Sequence, residues 1–217
     1  MLPARSNQFV SGAIAVIAWL AVIWQFFISV PNYLAKGRSL GGAIIQLLSY
    51  FTIESNLLIA ISLTAILLLP KSKISRFFSK ISTATAIAVY IFIVSLVYNL
   101  VLRPFWHPKG VYQTDDELLH VVVPVLYILY WGFLLPKQSL TWKQLPGWLL
   151  FPFLYLIYIL IRGAFFGFYP YFFLDVKSYG YLQVIINSVV LLVLFSLFCA
   201  LFIGIGKLFS KKNQHKF

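Results

Sequence analysis

Six long apolar runs, at about residues 9–30, 40–69, 81–102, 114–135, 146–161 and 180–206, are separated by short loops and leave little else to fold. Their length and apolarity suit helices crossing a bilayer core of roughly 30 Å, which asks for about 20 residues each. With 61% hydrophobic and 10% charged residues, the chain is not an ordinary soluble domain. The expected fold is all-α: one polytopic membrane domain over residues 1–217, a bundle of six transmembrane helices. The first run is too long for a signal-peptide core and lacks a small-residue cleavage site, so it counts as a span. Pro31 is expected to end it, Arg103 and Pro104 to end the third span, and Arg162 the fifth. Thr114-Asp115-Asp116-Glu117 has the form of a capping box that opens the fourth.

The formal charge of +12 raises nucleic acid as a partner, but the Lys and Arg residues sit in short loops and tails between apolar runs. That is where topology determinants lie, and a nucleic-acid partner is rejected. Eleven of the 17 Lys and Arg fall on the side shared by the N-terminus, second loop, fourth loop and tail. The excess predicts both termini in the cytoplasm of a multi-pass cell-membrane protein. Cys199 is the single cysteine and lies in an apolar run, so no disulfide framework or cysteine metal site is available.

Polar residues inside the spans are the informative exceptions, because each must be satisfied in a medium without water. In the second run, Ser49, Thr52 and Asn56 share one helical stripe with Ser55 beside it, and Glu54 points elsewhere. Ser95, Asn99 and Arg103 repeat at i, i+4, i+8 in the third span, and Tyr155, Tyr158 and Arg162 make a similar stripe in the fifth. Gln183 and Asn187 are four apart in the sixth, and Asp116 and His120 are four apart in the fourth. In the expected topology these groups crowd toward the outer half, as does Asp175, which suggests a shared polar cavity open outward or laterally. The plainer reading of any one Ser, Thr or Asn is adhesion between helices or a bond to its own helix carbonyl.

His120 is the only histidine within a span, and imidazole takes and returns protons near neutral pH. Asp116 or Glu117, one turn earlier, can orient it. There is no G-x-S-x-G, H-E-x-x-H or Gly-rich phosphate loop, and the histidines lack ligand spacing, so no metal or cofactor is expected. A threonine nucleophile would need His120 as its base.

Three segments resemble the signatures of the bacterial Pr-six-Pr integral membrane family. They are Tyr50-Phe51-Thr52-Ile53-Glu54-Ser55-Asn56-Leu57-Leu58, Leu119-His120-Val121-Val122-Val123-Pro124, and Tyr169-Pro170-Tyr171-Phe172-Phe173-Leu174-Asp175. That family is similar to the eukaryotic androgen-induced and androgen-dependent TFPI-regulating membrane proteins, intramembrane threonine hydrolases that cleave fatty acid esters of hydroxy fatty acids. The resemblance implies Thr52 as nucleophile and His120 as base, with a lipid or fatty-acid-ester substrate and no cofactor. Glu54 and Asn56 have no clear counterpart in those relatives.

In the expected scheme Asp116 or Glu117 holds His120. Asn56, Asn99 or Gln183 donates to the oxyanion, and Arg103 or Arg162 holds a substrate carboxylate. The rival function is a transporter or lipid-binding protein with Glu54 and His120 as a proton relay, and a third is a scaffold whose polar stripes only join helices. The charge asymmetry predicts that a reporter fused after Lys216 is cytoplasmic and that a tag inserted between Lys109 and Val111 is reached from outside intact cells. The opposite labelling pattern would invert the topology.

Overall fold

The computed structural model describes residues 5–214. Among them the regular structure is helical: α1 Arg5–Ala35, α2 Leu40–Leu47, α3 Phe51–Leu68, α4 Lys73–Phe78, α5 Ile81–Val97, α6 Val111–Glu117, α7 Val123–Leu134, α8 Leu145–Phe166 and α9 Val176–Gln214. Six helical stretches are long and apolar enough to cross a membrane, and the chain is a multi-pass membrane protein of all-α fold. Large apolar side chains such as Phe9, Leu20, Phe27, Phe133, Leu182 and Val190 are exposed on these stretches, as lipid-facing residues are. The described residues fall into two compact units, divided after Pro136.

In the first unit, α1 packs along α3 through a stripe of small and mid-sized residues, with Ser11, Ile14, Ala15, Ala18, Ala21 and Val22 buried. Small side chains let two backbones approach where no hydrophobic force separates helix from lipid. Trp19 Nε1 donates to Thr64 Oγ1 at 3.0 Å, which fixes the register of α1 on α3. The middle of α5 is buried all round from Ala84 to Ile91, so α5 is the central helix of this unit. Trp131 Nε1 on α7 donates to Thr85 Oγ1 at 2.9 Å, and the Phe51 and Tyr90 rings meet edge to face at 6.2 Å. The Trp19 and Trp131 indole nitrogens thus both have an acceptor, which an apolar interior requires.

Several expected boundaries move. The second apolar run is not one helix: it breaks at residues 48–50, where Tyr50 is extended (φ −92°, ψ 123°), and restarts at Phe51. Ser49 is therefore not on a common helical stripe with Thr52 and Asn56, and its hydroxyl bonds back to Ile45 O at 2.6 Å. Pro31 lies inside α1, which continues to Ala35. A proline there removes one donor, to the carbonyl of Phe27, and the helix survives one lost bond near its end. Gly37, at φ 78°, follows the true end. Arg162 likewise lies inside α8, which stops at Gly167 with φ 67°.

The proposed capping box is also absent at 114–117. The helix begins three residues earlier, after Gly110, and Thr114 N–H bonds to Gly110 O. A capping box does occur at Thr141 and Gln144, before α8.

Two turns depart from α-helical winding in the same way. Tyr98–Leu102 and Leu118–Val122 are π-helical, and in each the residue before a proline bonds five positions back: Arg103 N–H to Tyr98 O, and Val123 N–H to Leu118 O. Pro104 and Pro124 lack the N–H that the carbonyls of Leu100 and His120 would use, and their rings crowd those carbonyls. Widening the preceding turn by one residue relieves the crowding.

In the second unit, α8 packs on α9, and the segment between them is tied down at both ends. Tyr169 lies against Gly163, where an added Cβ would be 1.9 Å from Tyr169 Cε1. Asn187 Nδ2 donates to Phe173 O at 2.7 Å. The Asp175 carboxylate accepts from Ser178 Oγ at 2.6 Å and Lys177 N–H at 2.9 Å, and these bonds, the hydroxyl's first, hold its pKa below the usual carboxylate value. Gly163→Ala tests this packing: overpacking of about 1–3 kcal/mol exceeds the ~1 kcal/mol that alanine gains in helix propensity. The variant should melt below the parent in a detergent thermal scan, and a higher melting temperature would contradict the contact.

Candidate active site

Thr52 is the second residue of α3 and is placed there by the break at residues 48–50. His120 stands in the π-helical turn that leads into Pro124. The two meet inside the first unit, with Thr52 Oγ1 3.2 Å from His120 Nε2. Thr52 is 8% exposed, so this contact lies at the buried edge of the bundle.

The other imidazole nitrogen settles the proton assignment. His120 Nδ1 lies 2.9 Å from the backbone carbonyl of Asp116 and 3.3 Å from Asp116 Oδ1. Both neighbours are acceptors, so the neutral ring carries its proton on Nδ1. Nε2 is left with a lone pair facing the Thr52 hydroxyl. A hydroxyl, an imidazole with its base nitrogen toward it, and a carboxylate behind the imidazole form the arrangement that activates an alcohol as a nucleophile.

Around this line the structure distributes the remaining sequence candidates differently from expectation. Glu117 does not orient His120: its Oε1 pairs with Arg103 Nη2 at 2.5 Å, and the pair is about 40% exposed. Arg103 thus already has a carboxylate partner from the chain itself. Asn56 is not a free oxyanion donor, because its two amide hydrogens go to Thr52 O at 2.8 Å and Leu119 O at 3.2 Å. The second bond ties α3 to the turn carrying His120. Asn99 Nδ2 bonds back to Ser95 O at 2.8 Å within its own helix. Glu54 is on another face of α3, partly exposed, and makes no hydrogen bond or ion pair among the described residues. Asp115 is 1% exposed and neither carboxylate oxygen has a hydrogen-bond partner.

The candidates of the second unit serve that unit. Gln183 Nε2 donates to Asn187 Oδ1 at 3.0 Å, Asp175 begins α9, and the Arg162 guanidinium lies 4.8 Å from the Phe168 ring centroid. Among the described residues no three His, Cys, Asp or Glu side chains converge as a metal site.

Tyr98 is the site residue that sequence reasoning missed. Its ring stacks on His120 at 3.8 Å between centroids and 16° between planes, and its hydroxyl donates to Asp116 Oδ2. A usable signal was present: Tyr98 is six residues before Pro104, as Leu118 is before Pro124, and both open a widened turn.

Comparison with known protein families, curated proteins and solved structures finds no match to this chain.

Asn56 offers a stability test separate from chemistry. Asn56→Ala removes the donor to Leu119 O and one of two donors to Thr52 O, which keeps its helical N–H partner, and an unsatisfied buried carbonyl costs about 1–3 kcal/mol. The variant should lose stability to denaturant by about 1–3 kcal/mol, on that scale. Unchanged stability would mean that water or another donor already serves the Leu119 carbonyl.

Proposed function

We propose that this protein is an intramembrane ester hydrolase acting on lipid esters, with Thr52 as nucleophile and His120 as general base. The observation that carries the reading is the Thr52 Oγ1 to His120 Nε2 approach of 3.2 Å, with Nδ1 on the far side facing only acceptors. The resemblance to threonine hydrolases of fatty acid esters of hydroxy fatty acids supports the same pair and the same substrate class.

In this scheme His120 Nε2 takes the Thr52 proton as Oγ1 attacks the ester carbonyl. The tetrahedral intermediate collapses, the alcohol leaves with the proton from Nε2, and the acyl group stays on Thr52. Water, deprotonated by the same nitrogen, then releases the carboxylic acid and restores the threonine. Asp116 holds the imidazolium during both halves. Thr52 occupies the first turn of α3, where the Ile53 and Glu54 N–H groups bond to Tyr50 O and the helix dipole favours negative charge. The dipole at that end would favour a developing oxyanion on Thr52's substrate, whereas the Asn56, Asn99 and Gln183 amides are already bonded within the protein.

The reading includes a cell-membrane location with cytoplasmic termini, which turns the Thr52 end of the first unit outward. A second reading, a transporter with a proton relay, draws on Glu54, which lies in a membrane-spanning helix and has no partner among the described residues. Glu54→Gln would abolish that relay and leave ester cleavage measurable.

The kinetic test uses Thr52→Ala, His120→Ala and the double variant on a chromogenic fatty-acid ester. Each single change should reduce kcat by roughly 10³-fold or more, and the double variant should be little worse, because groups that act as one unit are not additive. A folded Thr52→Ala protein that cleaves the ester at the parent rate would refute the proposal.

A further inference from the structure

We propose that Tyr98 is a positioning residue that sets the tautomer and orientation of His120; the inference rests on the hydrolase reading for its catalytic meaning. Tyr98 is 3% exposed and reaches two members of the line at once. Its ring covers one face of the imidazole, 3.8 Å away and nearly parallel. Its hydroxyl donates to Asp116 Oδ2, the oxygen that does not face His120. Among the described residues the Asp116 side chain has no other hydrogen-bond partner besides His120.

The second contact matters because the chain offers adjacent acids. Asp115, Asp116 and Glu117 all lie within one helical turn of one another, and only one can sit behind His120. Glu117 is drawn to Arg103, Asp115 is buried without a hydrogen-bond partner, and Asp116 is held by Tyr98. A tyrosine on another helix therefore selects which carboxylate stands beside Nδ1, next to the Asp116 carbonyl that accepts its hydrogen. Arg103 reinforces the selection, since its guanidinium carbon lies 5.2 Å from the Tyr98 ring centroid and a cation over the ring favours donation by the phenol.

Removing the hydroxyl should free the Asp116 carboxylate to rotate, and removing the ring should free the imidazole to turn. Either change lets the Nε2–H tautomer form, in which the nitrogen facing Thr52 is no longer a base. A residue that only filled space would, when replaced by phenylalanine, leave the tautomer alone.

The experiment is nitrogen NMR of the full-length protein in detergent, labelled at its three histidines. The His120 signals are identified by their loss in His120→Gln. The parent should show His120 in a single Nδ1–H tautomer. Tyr98→Phe, which keeps the stack, and Tyr98→Leu, which loses both contacts, should show progressively mixed tautomers. In parallel, kcat on the same fatty-acid ester should fall roughly 10-fold in Tyr98→Phe and further in Tyr98→Leu, with KM unchanged. Mixed tautomers in the variants support the assignment whether or not the parent cleaves the ester, and absent turnover in the parent counts against the hydrolase reading alone. His120 signals identical to the parent in both variants would overturn the assignment.

Discussion

In hydrocarbon a polar side chain without a partner is costly, so most hydroxyls, amides and carboxylates on these helices are tied to something, Asp115 being a departure. Most are tied locally. Ser49, Thr85, Asn99, Ser188 and Ser196 bond to carbonyls three or four residues back on their own helices. These bonds are local to one turn, although Thr85 also accepts from Trp131 Nε1 of α7. The longest connected set between helices is the line Thr52, His120, Asp116, Tyr98, which runs between three helical segments. The arrangement of the first unit around its Thr52 end follows from keeping that line closed.

Two prolines make the geometry available. A regular helix would carry His120 through an α-helical turn, but Pro124 forces the turn before it to widen, and Pro104 does the same to the turn that begins at Tyr98. The widened turns lie opposite each other, with the Tyr98 and His120 rings stacked between them. Similar single-turn distortions are frequent at functional sites, because they turn side chains without ending the helix. The break before α3 plays the matching part on the other side, placing Thr52 at the start of a helix instead of in its middle. Asn56 then links α3 to the widened turn through Leu119 O, its other amide hydrogen bonding Thr52 O within α3.

The spans were legible in the sequence because hydropathy over some 20 residues is a property of composition, and local detail does not disturb it. The Thr52 and His120 pair was expected from the family resemblance together with the rarity of an ionisable histidine within a span, not from the hydroxyls, which are numerous. Helix ends were less legible. Pro31 and Arg162 look like stops, yet one lost bond or one buried cation does not end a helix that continues to pack. Least legible was the choice among Asp115, Asp116 and Glu117, since spacing alone puts two of them one turn from His120. Tyr98 and Arg103, on another segment, make that choice, and no pattern within residues 111–122 contains it.

The central claim is that the Thr52 oxygen becomes covalently bonded to the substrate's acyl carbon. The most direct measurement is peptide mass spectrometry of the full-length protein in detergent after brief exposure to a fluorophosphonate and, separately, to a slowly hydrolysed fatty-acid ester. The account predicts an adduct on the peptide containing Thr52 with both reagents, absent in His120→Ala. Ester turnover in the parent with no adduct at Thr52, or with the adduct on another residue, would contradict it.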